Sequence, residues 1–140
     1  MENIIKYNKK DHKNILIPND DAATVNCGRP WRMPTEEECK ELLKHTTNYW
    51  ITDYKGIERL NGRIFKSKIN GNEIFIPAAG YLKKSNISSQ GFYGLCWSSD
   101  LSTYVPDDFY YACSLCFGSN VAHLNYYERY IGLPVRPVLD

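Results

Sequence analysis

Residues 111–117 read YACSLCF and residues 93–99 read YGLCWSS. Both are short runs of aromatic, small and apolar residues bounded by loop-forming segments, which predicts two strands. On the first, Cys113, Leu115 and Phe117 share one face, while Ala112, Ser114 and Cys116 share the other. With Leu115 and Phe117 turned to the core, the alternation predicts that Ser114 and Cys116 face outward and join the flanking loops.

The same run contains a CxxC, Cys113 and Cys116. Side chains three apart on a strand point to opposite faces, so the two sulfurs do not converge on one metal. A second CxxC, or a Cys/His pair at ligand spacing, is missing from the sequence. Cys27, Cys39 and Cys96 are far apart and read as buried small apolar residues.

Working outward, GRIFKSK (62–68) and NEIFIP (72–77) flank Ile69-Asn70-Gly71-Asn72. Asn-Gly between apolar runs is a strong hairpin signal. YWITDY (49–54), ILIP (15–18) and PVRPV (134–138) are further strand candidates. One helix is predicted over about 35–45. Thr35 is its N-cap, Glu38 closes a capping box, Glu36 to Glu38 suit the helix dipole, and Cys39, Leu42 and Leu43 form its apolar stripe. His45, at its end, reads as a dipole partner. PAAGY (77–81) is a tight bend and KKSNISSQG (83–91) a surface loop. Residues 19–30 read as an irregular connection, and 100–110 and 118–133 as long loops of the kind that carry function. Residues 1–14 are polar, with Lys6, Lys9, Lys10, His12 and Lys13 forming a solvated basic edge. The expectation is an α+β fold: one helix, twisted antiparallel strands and long irregular loops in a single domain over 1–140.

Composition narrows the function. The chain has 140 residues, 43% hydrophobic and 24% charged, which fits one globular core and neither a disordered tail nor a membrane span. No run approaches the roughly 18 apolar residues of a transmembrane helix, and MENIIKYNKKDHKN lacks the apolar region of a signal peptide. A net charge of +1 argues against a nucleic-acid partner. The total hides an asymmetry. All lysines lie at or before Lys84, whereas eight of nine serines and seven of eleven tyrosines lie after it. Lysine depletion with tyrosine and serine enrichment is the composition of recognition surfaces; it is also that of a Tyr-rich β core with Ser-rich turns.

No phosphate-binding glycine loop, HExxH, GxSxG or EF-hand loop occurs. His12, His45 and His123 stand in separate contexts. Asp100, Asp107 and Asp108 offer hard oxygens for calcium, but Asp residues in a loop more often form turns or caps. The sequence therefore does not favour an enzyme, and it implies no cofactor and no metal.

DDAATVN (20–26), WRMPT (31–35), FIPAAGY (75–81), WSS (97–99), the strand with Ala112, Leu115 and Phe117, Arg129-Tyr130, and GLPVRPV (132–138) follow one another in order. Together they resemble gut-bacterial domains of the major-paralogous (FISUMP) type. Those are similar to C-type-lectin-fold domains, including the variable proteins of diversity-generating retroelements. The resemblance covers about residues 15–139. It implies a C-type-lectin-like fold with an irregular ligand face near the C-terminus, in a variable region spanning 93–138.

In such proteins scaffold positions alternate with rewritten ones. The resemblance assigns Trp97, Ser98, Ser99, Ala112, Leu115, Phe117, Val121, Arg129, Gly132 and Val135 to Val138 to the scaffold. It assigns Tyr104, Tyr110, Tyr111, Ser114, Cys116, Gly118, Asn120, His123, Asn125, Tyr126, Tyr127 and Ile131 to ligand binding. Arg129 and Arg136, the only lysine or arginine residues after Lys84, are expected to pair with acidic groups or backbone carbonyls and so pin the C-terminal strand rather than touch ligand.

The chain departs from the family at Cys27, where an aromatic residue is common, and it lacks the EPN or WND calcium triplets of sugar-binding C-type lectins. The formylglycine-generating enzymes share a related fold, but Cys113 and Cys116 do not resemble their catalytic pair.

The implied function is a non-enzymatic receptor-recognition module with a Tyr-rich face in 104–131, diversified by a retroelement. Its partner would be a protein or cell-surface receptor, and its setting a phage or bacterial adhesin on a virion tail or cell surface. Two alternatives stand beside it: a non-diversified glycan-binding or structural domain of a bacterial surface lipoprotein, and an oxidase of the formylglycine-generating type.

Overall fold

Thr35 opens the main helix because its hydroxyl accepts the Glu38 amide at 3.2 Å while the Glu38 carboxylate accepts the Thr35 amide at 2.8 Å. This predicted capping box starts a helix over Glu36–His45. In the computed structural model, which describes residues 4–102 and 109–140, the chain is mixed α+β: mostly strands, one main helix and several small sheets. The elements run α1 (Ala22–Cys27), β1 (Trp31–Arg32), α2 (Glu36–His45), β2 (Thr46–Ile51), β3 (Gly62–Ser67), β4 (Glu73–Pro77), β5 (Tyr81–Lys83), β6 (Asn86–Ser88), β7 (Gly94–Leu101), β8 (Tyr111–Phe117), β9 (Ala122–Glu128) and β10 (Val138–Leu139).

Every strand pair is antiparallel. The β3–β4 hairpin forms where Asn70-Gly71 predicts it, with Gly71 at a φ of 74° and the Ser67 hydroxyl accepting from the Ile69 amide. It extends into the β2-β3-β4 sheet. The second three-stranded sheet is β7-β8-β9, with β8 in the middle. Helix α2 lies against it, and Cys39, Phe65, Ile76, Cys96, Leu115 and Phe117 form the buried cluster between them. Phe65 and Phe117 meet edge to face, ring centroids 6.0 Å apart.

Several expectations are corrected. Residues 19–30 are not wholly irregular, because Asp21 caps the short helix α1 through the Thr24 amide and also accepts from the Met33 amide. ILIP is reduced to a single bridge between Ile15 and Asp100. Residues 83–91 contain β6 and end β5, turning at Lys84 with positive φ. The 118–133 segment holds all of β9, and only Val138 of PVRPV lies in a strand.

The N-terminal segment is also no tail. Tyr7 is 3% exposed, its hydroxyl donates to Asp20 at 2.7 Å, and Arg129 donates to the Tyr7 and Phe109 carbonyls. Arg129 thus binds backbone carbonyls as expected, although the strap it pins is N-terminal. Arg136 has no such contact: among the described residues it makes no hydrogen bond or ion pair. Cys39 and Cys96 are buried as predicted, whereas Cys27 is exposed.

Asp107 and Asp108 lie outside the described residues. Asp100 accepts the Glu36 amide at 2.8 Å, so it serves the start of α2. No described helix is long and apolar enough to cross a membrane.

Candidate functional site

β8 is buried on both faces, and this overturns the outward placement of Ser114 and Cys116. Leu115 and Phe117 enter the cluster under α2, and Cys113, on the same face of the strand, is fully buried. On the opposite face Cys116 joins Leu95, Ile131 and Leu133, with Tyr81, Trp97 and Tyr127 packed against them. The strand's alternation is as read, but a second layer covers the small face. Leu82 and Gly132 exchange backbone hydrogen bonds of 2.7 and 2.8 Å, and the Trp97 amide donates to the Pro134 carbonyl, so the C-terminal segment is stitched across the sheet. Ser114 is fully buried, its hydroxyl within 3.1 Å of the Cys116 sulfur. The CxxC residues stand three apart on β8, so their sulfurs lie on opposite faces of the strand. Burial pushes the Cys113 thiol up to about 12 and raises that of Cys116, so neither is poised as a thiolate nucleophile.

The cover stops short of the β8–β9 turn, leaving a groove of about 600 Å³. Leu95, Cys116, Tyr127 and Ile131 line its apolar base. Tyr81, Lys83 and Ser89 line it from the β5–β6 hairpin, and Phe92 and Tyr93 from the chain entering β7. Gly118, Ser119, Asn120 and Val121 contribute the turn, followed by His123 and Glu128 on β9. Local chemistry holds the turn in place. Arg63 reaches from β3 to donate to the Gly118 carbonyl at 2.7 Å and to Asn48 at 2.6 Å. Gly118 has no side chain where a Cβ would stand 3.1 Å from the Tyr93 ring, so the turn and the aromatic wall approach closely. Phe92 is 72% exposed, Tyr93 57% and Val121 54%. Exposed apolar groups beside an apolar base and a few polar side chains are the makeup of a binding site.

Of the twelve residues that the resemblance assigns to ligand binding, the structure brings six to this groove: Cys116, Gly118, Asn120, His123, Tyr127 and Ile131. Cys116, Gly118 and Ile131 are buried there, and Asn120 and His123 are exposed. The other six lie elsewhere. Tyr104 falls outside the described residues. Tyr110 is exposed where β8 begins, and Tyr111 is half-buried opposite Glu128. Ser114 is interior. Asn125 is exposed and accepts from the Tyr126 amide at 2.9 Å. Tyr126 turns to the α2 side, where its hydroxyl donates to Glu36 at 3.1 Å. Burial, then the Glu36 carboxylate, lifts the Tyr126 phenol to about 12.

Tyr127 is half-buried, and burial followed by the neighbouring Cys116 raises its phenol. Its mutation therefore does not leave the fold untouched. Phe92, Tyr93 and Val121 were not among the predicted site residues. The adjacent aromatic pair after Gly91 was the available signal. Val121, assigned to the scaffold by the resemblance, is exposed because it sits in the turn before β9 rather than in a strand.

No family model, curated protein or solved structure matches this chain.

Proposed function

We propose that the chain is a ligand-binding domain of C-type-lectin-like fold, a receptor-recognition module and not an enzyme, whose binding face is the groove between the β5–β6 hairpin and the β8–β9 turn. The observation that carries this reading is the convergence, on one 600 Å³ groove, of residues from the lysine-free part of the chain with the exposed Phe92 and Tyr93. Large rings with few rotatable bonds give contact area at modest entropic cost, which suits recognition of a protein surface. The raised thiols of Cys113 and Cys116 support the non-enzymatic reading over an oxidase. Diversification by a retroelement belongs to the same proposal. It places the tolerant positions at the exposed Asn120 and His123, since changes at the buried Ser114 and Ile131 would disturb packing.

The test uses the whole domain against intact bacterial cells, before and after protease treatment, and against a glycan array. Protease-sensitive binding, weakened at least about tenfold by Phe92→Ala with no change in melting temperature, is the expected result. Protease-resistant binding that free sugars compete away identifies the glycan-binding alternative. Binding that is indifferent to Phe92→Ala removes the groove from the reading. Sequencing the locus across one population tests diversification: changes confined to exposed groove positions support it, and uniform drift removes it.

A further inference from the structure

On the opposite face of the β7-β8-β9 sheet, a second opening leads into the main core. It is a crevice of about 280 Å³ between α2, β4 and the C-terminal segment, lined mainly by apolar groups including Leu42, Ile76, Cys96 and Leu115. Two charged side chains border it, Glu38 and Arg136, and they differ in a telling way. Glu38 is fully engaged: it accepts two 2.7 Å bonds from the Arg32 guanidinium and one from the Thr35 amide. Arg136 is exposed and, among the described residues, has neither a hydrogen bond nor an ion pair. The chain's other arginines are held: Arg29 and Arg32 by Asp140, Arg59 by Glu58, and Arg63 and Arg129 by carbonyl oxygens. An apolar slot bordered by one uncompensated guanidinium is complementary to a molecule with an aliphatic body and an anionic head.

We infer that this crevice is a binding site for a medium-chain aliphatic carboxylate, whose hydrocarbon body enters beside Leu42, Ile76 and Leu115 and whose carboxylate pairs with Arg136. The geometry favours a carboxylate because the planar guanidinium offers it two parallel donors. A simple cation would find no free acid in the crevice, since Glu38 is already paired. The site is independent of the groove and goes beyond the function proposed for it: the two share no lining residue.

The test titrates the intact domain with octanoate, octanol and octylammonium, reading affinity by calorimetry and position by methyl NMR. Octanoate is expected to bind saturably and to shift the methyl signals of Leu42, Ile76 and Leu115. Octanol should bind at least about tenfold more weakly, and octylammonium should not saturate. Arg136→Gln, a change at an exposed side chain, should lower octanoate affinity about tenfold while leaving octanol binding and the melting temperature unchanged. The inference is overturned if octanoate fails to saturate below its micellar concentration. Equal octanoate affinity in Arg136→Gln, or shifts confined to Leu95 and Ile131 in the groove, overturn it as well. Phe92→Ala should leave octanoate binding unaltered, so failure of the groove reading and failure of this one are distinguishable.

Discussion

The two faces of β8 are both buried, yet they are built differently. Leu115 and Phe117 meet a helix and a second sheet in a cluster with Cys39, Phe65 and Ile76. On the other face Cys116 lies under a partial cover of Tyr127, Ile131 and Leu133, which ends at an open groove. The first face carries the larger side chains and most of the interior packing. The second carries small residues, which the C-terminal segment covers only in part, with Ile131 and Leu133 packed beside Cys116. A strand can thus anchor the fold with one face while the other helps to floor a groove.

The contrast predicts unequal responses to truncation. Phe117→Ala removes a ring that is 1% exposed and stacked edge-on against Phe65, and should destabilise by about 3–5 kcal/mol in denaturant unfolding. Tyr127→Ala, on the half-covered face, should cost about 1–2 kcal/mol and enlarge the groove. Equal losses at the two positions would erase the distinction between the faces.

The smallest effect concerns the Arg32–Glu38 clamp that holds the start of α2. Hydrogen bonds from Arg32 lower the Glu38 carboxyl from 4.5 to about 2, with the Thr35 amide adding to them against the opposing effect of burial. Its folded pKa lies below the unfolded value, so its stabilisation is present above about pH 4.5 and is lost as pH falls toward 2. Because the side chain is 42% exposed, solvent screening keeps the contribution to about 1 kcal/mol or less. Glu38→Gln should flatten the stability profile in that acid window. An unchanged slope in acid-titrated melting curves would show that the clamp does not sharpen the helix-side face.

Local chemistry was readable wherever it closes within a few residues. The Thr35–Glu38 box and the Asn70-Gly71 turn appear where residue identity places them, since their partners lie three or four positions away. β9 was not readable as a strand. AHLNY alternates over only five residues before YE breaks the pattern, and the strand runs on to Glu128 because β8 offers seven partners in continuous register. The N-terminal segment reads as solvated because Lys6, Lys9, Lys10 and Lys13 dominate it, while Tyr7 among them is the residue that docks. For the candidate groove, the Tyr- and Ser-rich composition marks the part of the chain that supplies most of the lining. It did not separate groove residues from interior ones, because Ser114 and Cys116 are as acceptable under a second layer as in water.

The amino-acid sequence by itself determined the α+β class, the capped helix, the β3–β4 hairpin and the alternation along β8, all consequences of short-range sterics and hydrogen bonding. Only the tertiary structure decided which face of β8 is covered, that Tyr126 serves α2 while Tyr127 lines the groove, and that Arg129 is held while Arg136 is not. Those outcomes depend on segments distant in the chain arriving at the same place. Burial is a property of that assembled neighbourhood, and no residue carries it alone.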